Sequence, residues 1–201
     1  MSENFEIPFK SDLVPKILES GSSIRFNCHK GVSCFNECCR HADIQLTPYD
    51  IIRLKDNLGL SGTDFLKNHT VPFEMDKDGL PGVKLRTDDE GACLFLTEEG
   101  CSVYQDRPTA CRYYALGSMG MRVKDSATVE DIYFVVREPH CKGHEEPKTL
   151  TVREYRREQG VEKYDEMNRE WRDIIIKKRS SGPTVGAPSG RSFQLFDMCS
   201  Y

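Results

Sequence analysis

The hydrophobic positions of the chain come in short blocks, and their period switches between extended and helical along the sequence. Ala42-Asp43-Ile44-Gln45-Leu46 alternates like a brief strand. Thr47-Pro48 then supplies an N-cap and an N1 proline for a helix through Leu58, stopped by Gly59, with Ile51, Ile52 and Leu54 to Leu58 on its buried face. The start signal Ser61-Gly62-Thr63-Asp64 predicts a second helix over Thr63 to Lys67, which pairs with the first as a hairpin. From Val71 to Tyr104 the pattern is that of short strands: Val71 to Met75, a turn at Asp76-Lys77-Asp78-Gly79, Val83 to Arg86, then Cys93 to Leu96 and Cys101 to Tyr104 around Glu98-Glu99-Gly100. A proline-opened helical turn follows at Arg107 to Tyr114, and another strand at Tyr133 to Val136. Thr151-Val152-Arg153-Glu154 is a capping box for a helix to Gln159. Past Gly160, an amphipathic helix from about Val161 to Lys178 presents Tyr164, Met167, Trp171, Ile174 and Ile175 on the face that covers the sheet.

These elements predict an α+β fold, a small antiparallel sheet with flanking helices, organised around a cysteine-ligated metal centre. The folded unit spans residues 24–179. Residues 1–23 form a leading segment with a short helix at Leu13 to Leu18, and 180–201 a flexible tail, Ser-, Gly- and Pro-rich over Ser180 to Ser192 and ending in an apolar patch, Phe193 to Phe196.

Composition changes the picture in one respect. A chain of 201 residues buries a core without covalent staples, so its nine cysteines need another explanation. Neither a signal peptide nor an apolar run near 18 residues is visible, so the expected compartment is the cytoplasm, where thiols stay reduced and a cysteine framework points to metal or catalysis. The formal net charge is −4, with Lys and Arg scattered rather than striped, which argues against a nucleic-acid groove. A mean hydropathy of −0.56 describes a very polar chain, in which coordination supplies stability that a modest core does not.

The cysteines are clustered. Cys28, Cys34, Cys38 and Cys39 fall within a dozen residues, and Cys93, Cys101, Cys111 and Cys141 follow on later elements. Thiols that act only as small hydrophobes need neither clustering nor adjacency. A disulfide between the neighbours Cys38 and Cys39 would be strained, whereas two thiolates facing one cluster or two ions would not be. An ordinary zinc or [4Fe–4S] site takes four thiolates, so eight suffice for two sites, or for one site with spare thiols. Cys199, on the tail, stands apart. No Cys-x-x-Cys occurs, which removes zinc-ribbon knuckles and thioredoxin-type motifs, and Cys34-x-x-x-Cys38-Cys39 lacks the radical S-adenosylmethionine spacing.

Four thiolates around zinc or a [4Fe–4S]²⁺ core leave a charge of about −2 that cations and peptide N–H groups must offset. Lys30, Arg40, Arg107 and Arg112 lie next to cysteines, with Arg40, Arg107 and Arg112 the expected cofactor-binding cations, and Gly31, Gly91 and Gly100 allow close approach of backbone N–H groups. His29, His41 and His140 flank cysteines and could complete a mixed site, and Tyr104, Tyr113 and Tyr114 could line a pocket beside the metal. The cysteine–arginine pairs and these glycines favour an iron–sulfur cluster over the alternative, zinc.

The adjacency Cys38-Cys39, the block Cys93-Leu94-Phe95-Leu96 and the block Arg107-Pro108-Thr109-Ala110-Cys111-Arg112-Tyr113-Tyr114 together resemble the YkgJ-type cysteine-cluster family, over about Cys28 to Cys141. The resemblance implies zinc or iron chelation, an iron–sulfur label in many descriptions, and, through a distant branch, the flagellin lysine methylases, modification of a protein substrate. The chain is shorter than that branch and shows no obvious glycine-rich nucleotide loop. Three functions stay open: an iron–sulfur or zinc protein in redox or metal handling, a metal-dependent protein-modifying enzyme that resembles the methylases, and a structural zinc module for protein contacts. The expected partners are a metal ion or cluster and a protein, without nucleic acid or a membrane span.

Overall fold

A computed structural model describes residues 17–76, 79–122, 129–180, 189–192 and 194. The predicted helix at Leu13 to Leu18 falls mostly outside them. Leu18 itself is buried, and its N–H bonds to the Tyr133 carbonyl at 2.7 Å. Apart from Gln194, the predicted apolar patch on the tail also lies outside the described residues.

The α+β expectation holds, but instead of one sheet the described chain builds four two-stranded antiparallel ribbons. These pair β1 (Ser23–Arg25) with β8 (Thr149–Thr151), β2 (Thr70–Glu74) with β3 (Pro81–Leu85), β4 (Leu96–Thr97) with β5 (Gly100–Cys101), and β6 (Leu116–Arg122) with β7 (Val129–Val135). The segment read as a strand at 42–46 only bridges to β3: the Leu46 N–H reaches the Val83 carbonyl at 3.0 Å, and the Leu85 N–H the Ile44 carbonyl at 2.9 Å. Strand β6 escapes the hydrophobic pattern because it reads Leu-Gly-Ser-Met-Gly-Met-Arg, poor in β-branched residues. Gly117 is required there, since a Cβ would come within 2.2 Å of the Phe134 ring.

Helix α1 (Pro48–Leu58) forms where its signals place it. The Thr47 side chain accepts the Asp50 N–H, the Asp50 carboxylate accepts the Thr47 N–H, and Gly59 closes the helix at φ 65°. Ile51 and Leu54 are buried, but Ile52 faces outward, contrary to the expected face. Helix α2 (Gly62–His69) starts from the Ser61 cap, and α4 (Val152–Gln159) from the Thr151–Glu154 capping box. The long C-terminal helix is divided into α5 (Val161–Met167) and α6 (Arg169–Ser180) at Asn168. Asn168 is buried and turns its amide towards the Thr109 hydroxyl at 3.3 Å, while Met167 and Ile174 of the predicted apolar face are exposed. An Arg172–Asp131 ion pair lays α6 against the β6–β7 ribbon, as expected of the element that covers a sheet.

Two hydrophobic clusters result. One gathers Leu46, Ile51, Leu54, Phe65, Phe95 and Val103 around α1 and α2. The other joins Ile24 and Phe26 to Leu116, Tyr133, Val152 and Tyr155 under α4 and the β6–β7 ribbon. Residues of both clusters line one cavity of about 600 Å³, and six of the cysteines line it with them.

Candidate metal centre

The first cysteine loop is a succession of tight turns, because Gly31, Ser33 and Asn36 interrupt any longer periodicity. The N–H groups of Val32, Phe35, Glu37 and Cys39 bond to carbonyls three residues back, and Val32 is buried as the loop's anchor. Asn36 takes the left-handed conformation, φ 71°, immediately before the 3₁₀ turn Glu37–Cys39 that carries the vicinal pair. Gly100, at φ 118°, packs beside Phe35 and Asn36, where a Cβ would meet the Phe35 ring at 3.5 Å.

Backbone hydrogen bonds bring the later cysteines to this loop. The Cys93 N–H reaches the Cys39 carbonyl at 2.8 Å, and the Ala42 N–H the Gly91 carbonyl at 3.1 Å. Cys101 pairs with Leu96 across β4–β5, and the Leu96 N–H bonds to the Cys93 carbonyl at 2.9 Å. Cys111 rides on α3 (Thr109–Tyr113). On the other side, the Asn27 N–H bonds to the Gly143 carbonyl at 3.0 Å, and the Lys142 N–H points at Cys34 Sγ, also at 3.0 Å. Gly143 permits that crossing, since a Cβ would sit 2.6 Å from the Phe26 ring.

All eight constellation cysteines are free thiols, Cys28 and Cys38 exposed and the others half-buried. Cys38 Sγ and Cys39 Sγ lie 4.0 Å apart, well beyond a disulfide bond. Among the described residues no three His, Cys, Asp or Glu side chains converge on a ready-made ion site. Six of the cysteines instead border one volume: Cys28, Cys38, Cys39, Cys93, Cys101 and Cys111 line the cavity, while Cys34 and Cys141 are outside its lining and act on Cys28 electrostatically. Desolvation, with neighbouring thiolates adding to it, pushes Cys28 up to about 11. Desolvation dominates likewise at Cys93, Cys101 and Cys111, which are also raised. Cys39 is raised chiefly by its contact with Cys38, whose own value the same contact lowers. Such a ring of mutually repelling sulfurs takes negative charge easily only when a cation neutralises it.

The donors a thiolate centre needs are present. The Phe95 N–H is aimed at Cys93 and the Val103 N–H at Cys101, each two residues on, and Lys142 N–H serves Cys34. Arg107 is buried and lines the cavity, its guanidinium donating to the Tyr104 carbonyl and to Gln159 Oε1, both at 2.7 Å. None of these acceptors is a carboxylate; Cys101 and Cys111 lie within its field.

The other expected cations stand elsewhere. Arg40 is exposed and pairs with Glu37 at 3.1 Å. Arg112 is buried, but its guanidinium is taken up by the carbonyls of Gln105, Arg107 and Gln159 and by the Tyr164 hydroxyl, so it ties α3 to the end of α4. Lys30 pairs with Glu99 at 2.8 Å on the surface. His29 uses both ring nitrogens, one 3.1 Å from Glu146 and one accepting the Gly31 N–H. His140 lies 3.5 Å from Glu138, and His41 borders the cavity. Tyr104 and Tyr114 line the cavity, whereas Tyr113 is buried with its hydroxyl donating to Asp165.

Two residues at the site were not singled out from the sequence. Asp50 is fully buried and accepts from Thr47 N–H, Thr109 N–H and Thr109 Oγ, which joins the start of α1 to the start of α3 and so places Cys111. Burial raises its carboxyl against the lowering effect of these donors. Its role as N3 of a capping box was legible; its reach to Thr109 was not. Glu138, beside Tyr114 and Cys38 at the cavity wall, carried no signal at all.

Residues 27–170 match the family model CxxCxxCC, the "putative zinc- or iron-chelating domain". The chain belongs to this family. The match takes in all eight cysteines together with α4 and α5, and ends at the start of α6. No curated protein and no solved structure matches the chain. The label's spacing is relaxed here, where the run reads Cys28-x₅-Cys34-x₃-Cys38-Cys39. The donor set fits a soft or borderline metal: thiolates, N–H groups directed at sulfur, and a buried cation without a carboxylate.

Proposed function

We propose that this CxxCxxCC domain carries an iron–sulfur cluster of the [4Fe–4S] type, held by cysteines that line the cavity. The carrying observation is the cavity itself: six cysteines surround about 600 Å³. A zinc ion gathers four sulfurs to a point at about 2.3 Å, whereas a cluster with bridging sulfides occupies a volume. N–H groups aimed at Cys34, Cys93 and Cys101, together with Arg107, supply the donors that stabilise such a core. When bound, the cluster supplies one-electron chemistry. The chain's own residues hold it, screen its charge and leave one edge, at Cys28 and Cys38, open to solvent.

Anaerobic purification followed by absorption spectroscopy and analysis for iron, sulfide and zinc tests this. Brown protein with broad absorption near about 400 nm that bleaches with dithionite is expected. Colourless, folded protein with stoichiometric zinc, even after expression with iron and sulfide supplied, would replace the cluster with structural zinc. The 4.0 Å Cys38–Cys39 separation is the one observation on that side, being close to the tetrahedral edge of about 3.8 Å that follows from the Zn–S bond.

A further inference from the structure

Resting on that thiolate-centre reading but not on the identity of the metal, the geometry points to two separate four-cysteine sites joined at the vicinal pair. The inner site is Cys39, Cys93, Cys101 and Cys111; the outer is Cys28, Cys34, Cys38 and Cys141.

The division follows from the backbone. Cys93 is hydrogen-bonded to Cys39, Cys101 is tied to Cys93 through Leu96, and Cys111 sits on a helix whose start Asp50 fixes to α1. A different set of bonds gathers the rest: Asn27 to Gly143 draws Cys28 towards Cys141, and Lys142 N–H contacts Cys34 Sγ. Among the described residues the two groups meet at the 3₁₀ turn that both share, where Cys38 Sγ lies 4.0 Å from Cys39 Sγ. The electrostatic neighbours separate the two groups on either side of Cys38: Cys28 feels Cys34, Cys38 and Cys141, whereas Cys39, Cys93, Cys101 and Cys111 feel one another and Cys38 but none of Cys28, Cys34 and Cys141.

Cys38 alone borders both groups. With three residues per turn, neighbours in a 3₁₀ segment point about 120° apart, so Cys38 and Cys39 leave the same turn in different directions. The inner group already has its four thiolates, and the outer has three, so the coordination number assigns Cys38 outward.

The two sites also differ in surroundings. Arg107 faces the inner one, and the outer one contains both exposed cysteines and borders Glu138 and the Tyr114 hydroxyl. The inner site therefore belongs to the folded scaffold, and the outer is the one that exchanges metal or electrons with the surroundings.

The test measures total iron plus zinc in the full chain, and its release to EDTA over time, for wild type, Cys28→Ser, Cys141→Ser and Cys93→Ser. Wild type is expected to release metal in two phases of equal amplitude. Cys28→Ser and Cys141→Ser should each keep half the metal and lose only the fast phase, with unchanged far-ultraviolet dichroism; Cys93→Ser should lose the slow half. Single-phase release from wild type, or complete loss of metal in both outer variants while they remain folded, overturns the division and leaves the thiolate centre standing as one site. Wild type empty of metal overturns both readings.

Discussion

The two walls of the cavity are built in different ways. Cys93, Cys101 and Cys111 grow out of a scaffold that α1, α2 and their apolar cluster hold in place, with Asp50 and Asp106 as buried or nearly buried struts. The Tyr104–Asp106 turn is pinned to α1 by Arg53 and Asn57, which fixes Arg107 behind it. Cys28, Cys34 and Cys141 instead sit in turns, tied across by bonds such as Asn27–Gly143 and Lys142–Cys34 and carried by no helix or strand, and Cys28 is exposed. A wall made of elements is set before any ligand arrives; a wall made of turns is completed by its ligand.

The largest break in this contrast should come from Asp50→Ala. It strands three donors in the interior of the rigid wall, which costs about 3 kcal/mol, or a melting temperature lower by roughly 6–12 °C. Metal content should fall with it although Asp50 is no ligand, and a thermal melt with metal analysis reads both. Unchanged values would mean that α3 is held by packing alone.

Arg107→Gln comes next. Removing the cation that faces Cys101 and Cys111 should weaken metal retention about tenfold in a chelator competition, within the usual range for groups that support ligands, and leave the turn wall untouched.

Opposite pH responses separate the loaded from the metal-free chain. Thiols must lose protons to bind metal, so retention should fall as pH drops, by roughly tenfold per unit for each proton taken up. In the metal-free chain the raised Cys28 favours the neutral thiol when folded; that contribution is complete below the ordinary value of 9.0 and is lost as pH climbs through about 11. A urea titration at pH 8 and pH 11 should show the metal-free chain less stable at the higher pH.

The smallest effects lie outside the walls. Lys30→Ala removes a solvent-exposed pair with Glu99 and should leave melting temperature and metal content unchanged. Cys199→Ser, on the tail, should do the same, which makes it the control for every cysteine variant.

Much of the first wall could be read directly from residue order. Thr47-Pro48 to Gly59, Ser61 and Thr151 to Gly160 mark helix ends where the structure has them, because caps act through neighbours three or four residues away. The eight candidate ligands were also legible, since clustered and vicinal cysteines have no packing motive. What residue order could not supply was anything decided by approach between distant segments. The single expected sheet became four ribbons, and Asn168 broke the last helix in order to meet Thr109, 59 residues away. Arg107 and Arg112 look alike beside Cys111, yet one turns to the cavity and the other to helix-end carbonyls. Local signals set the elements and the chemistry of the thiols; the grouping of those thiols, and the cation that faces them, depend on contacts that exist only once the two apolar clusters have closed around the cavity.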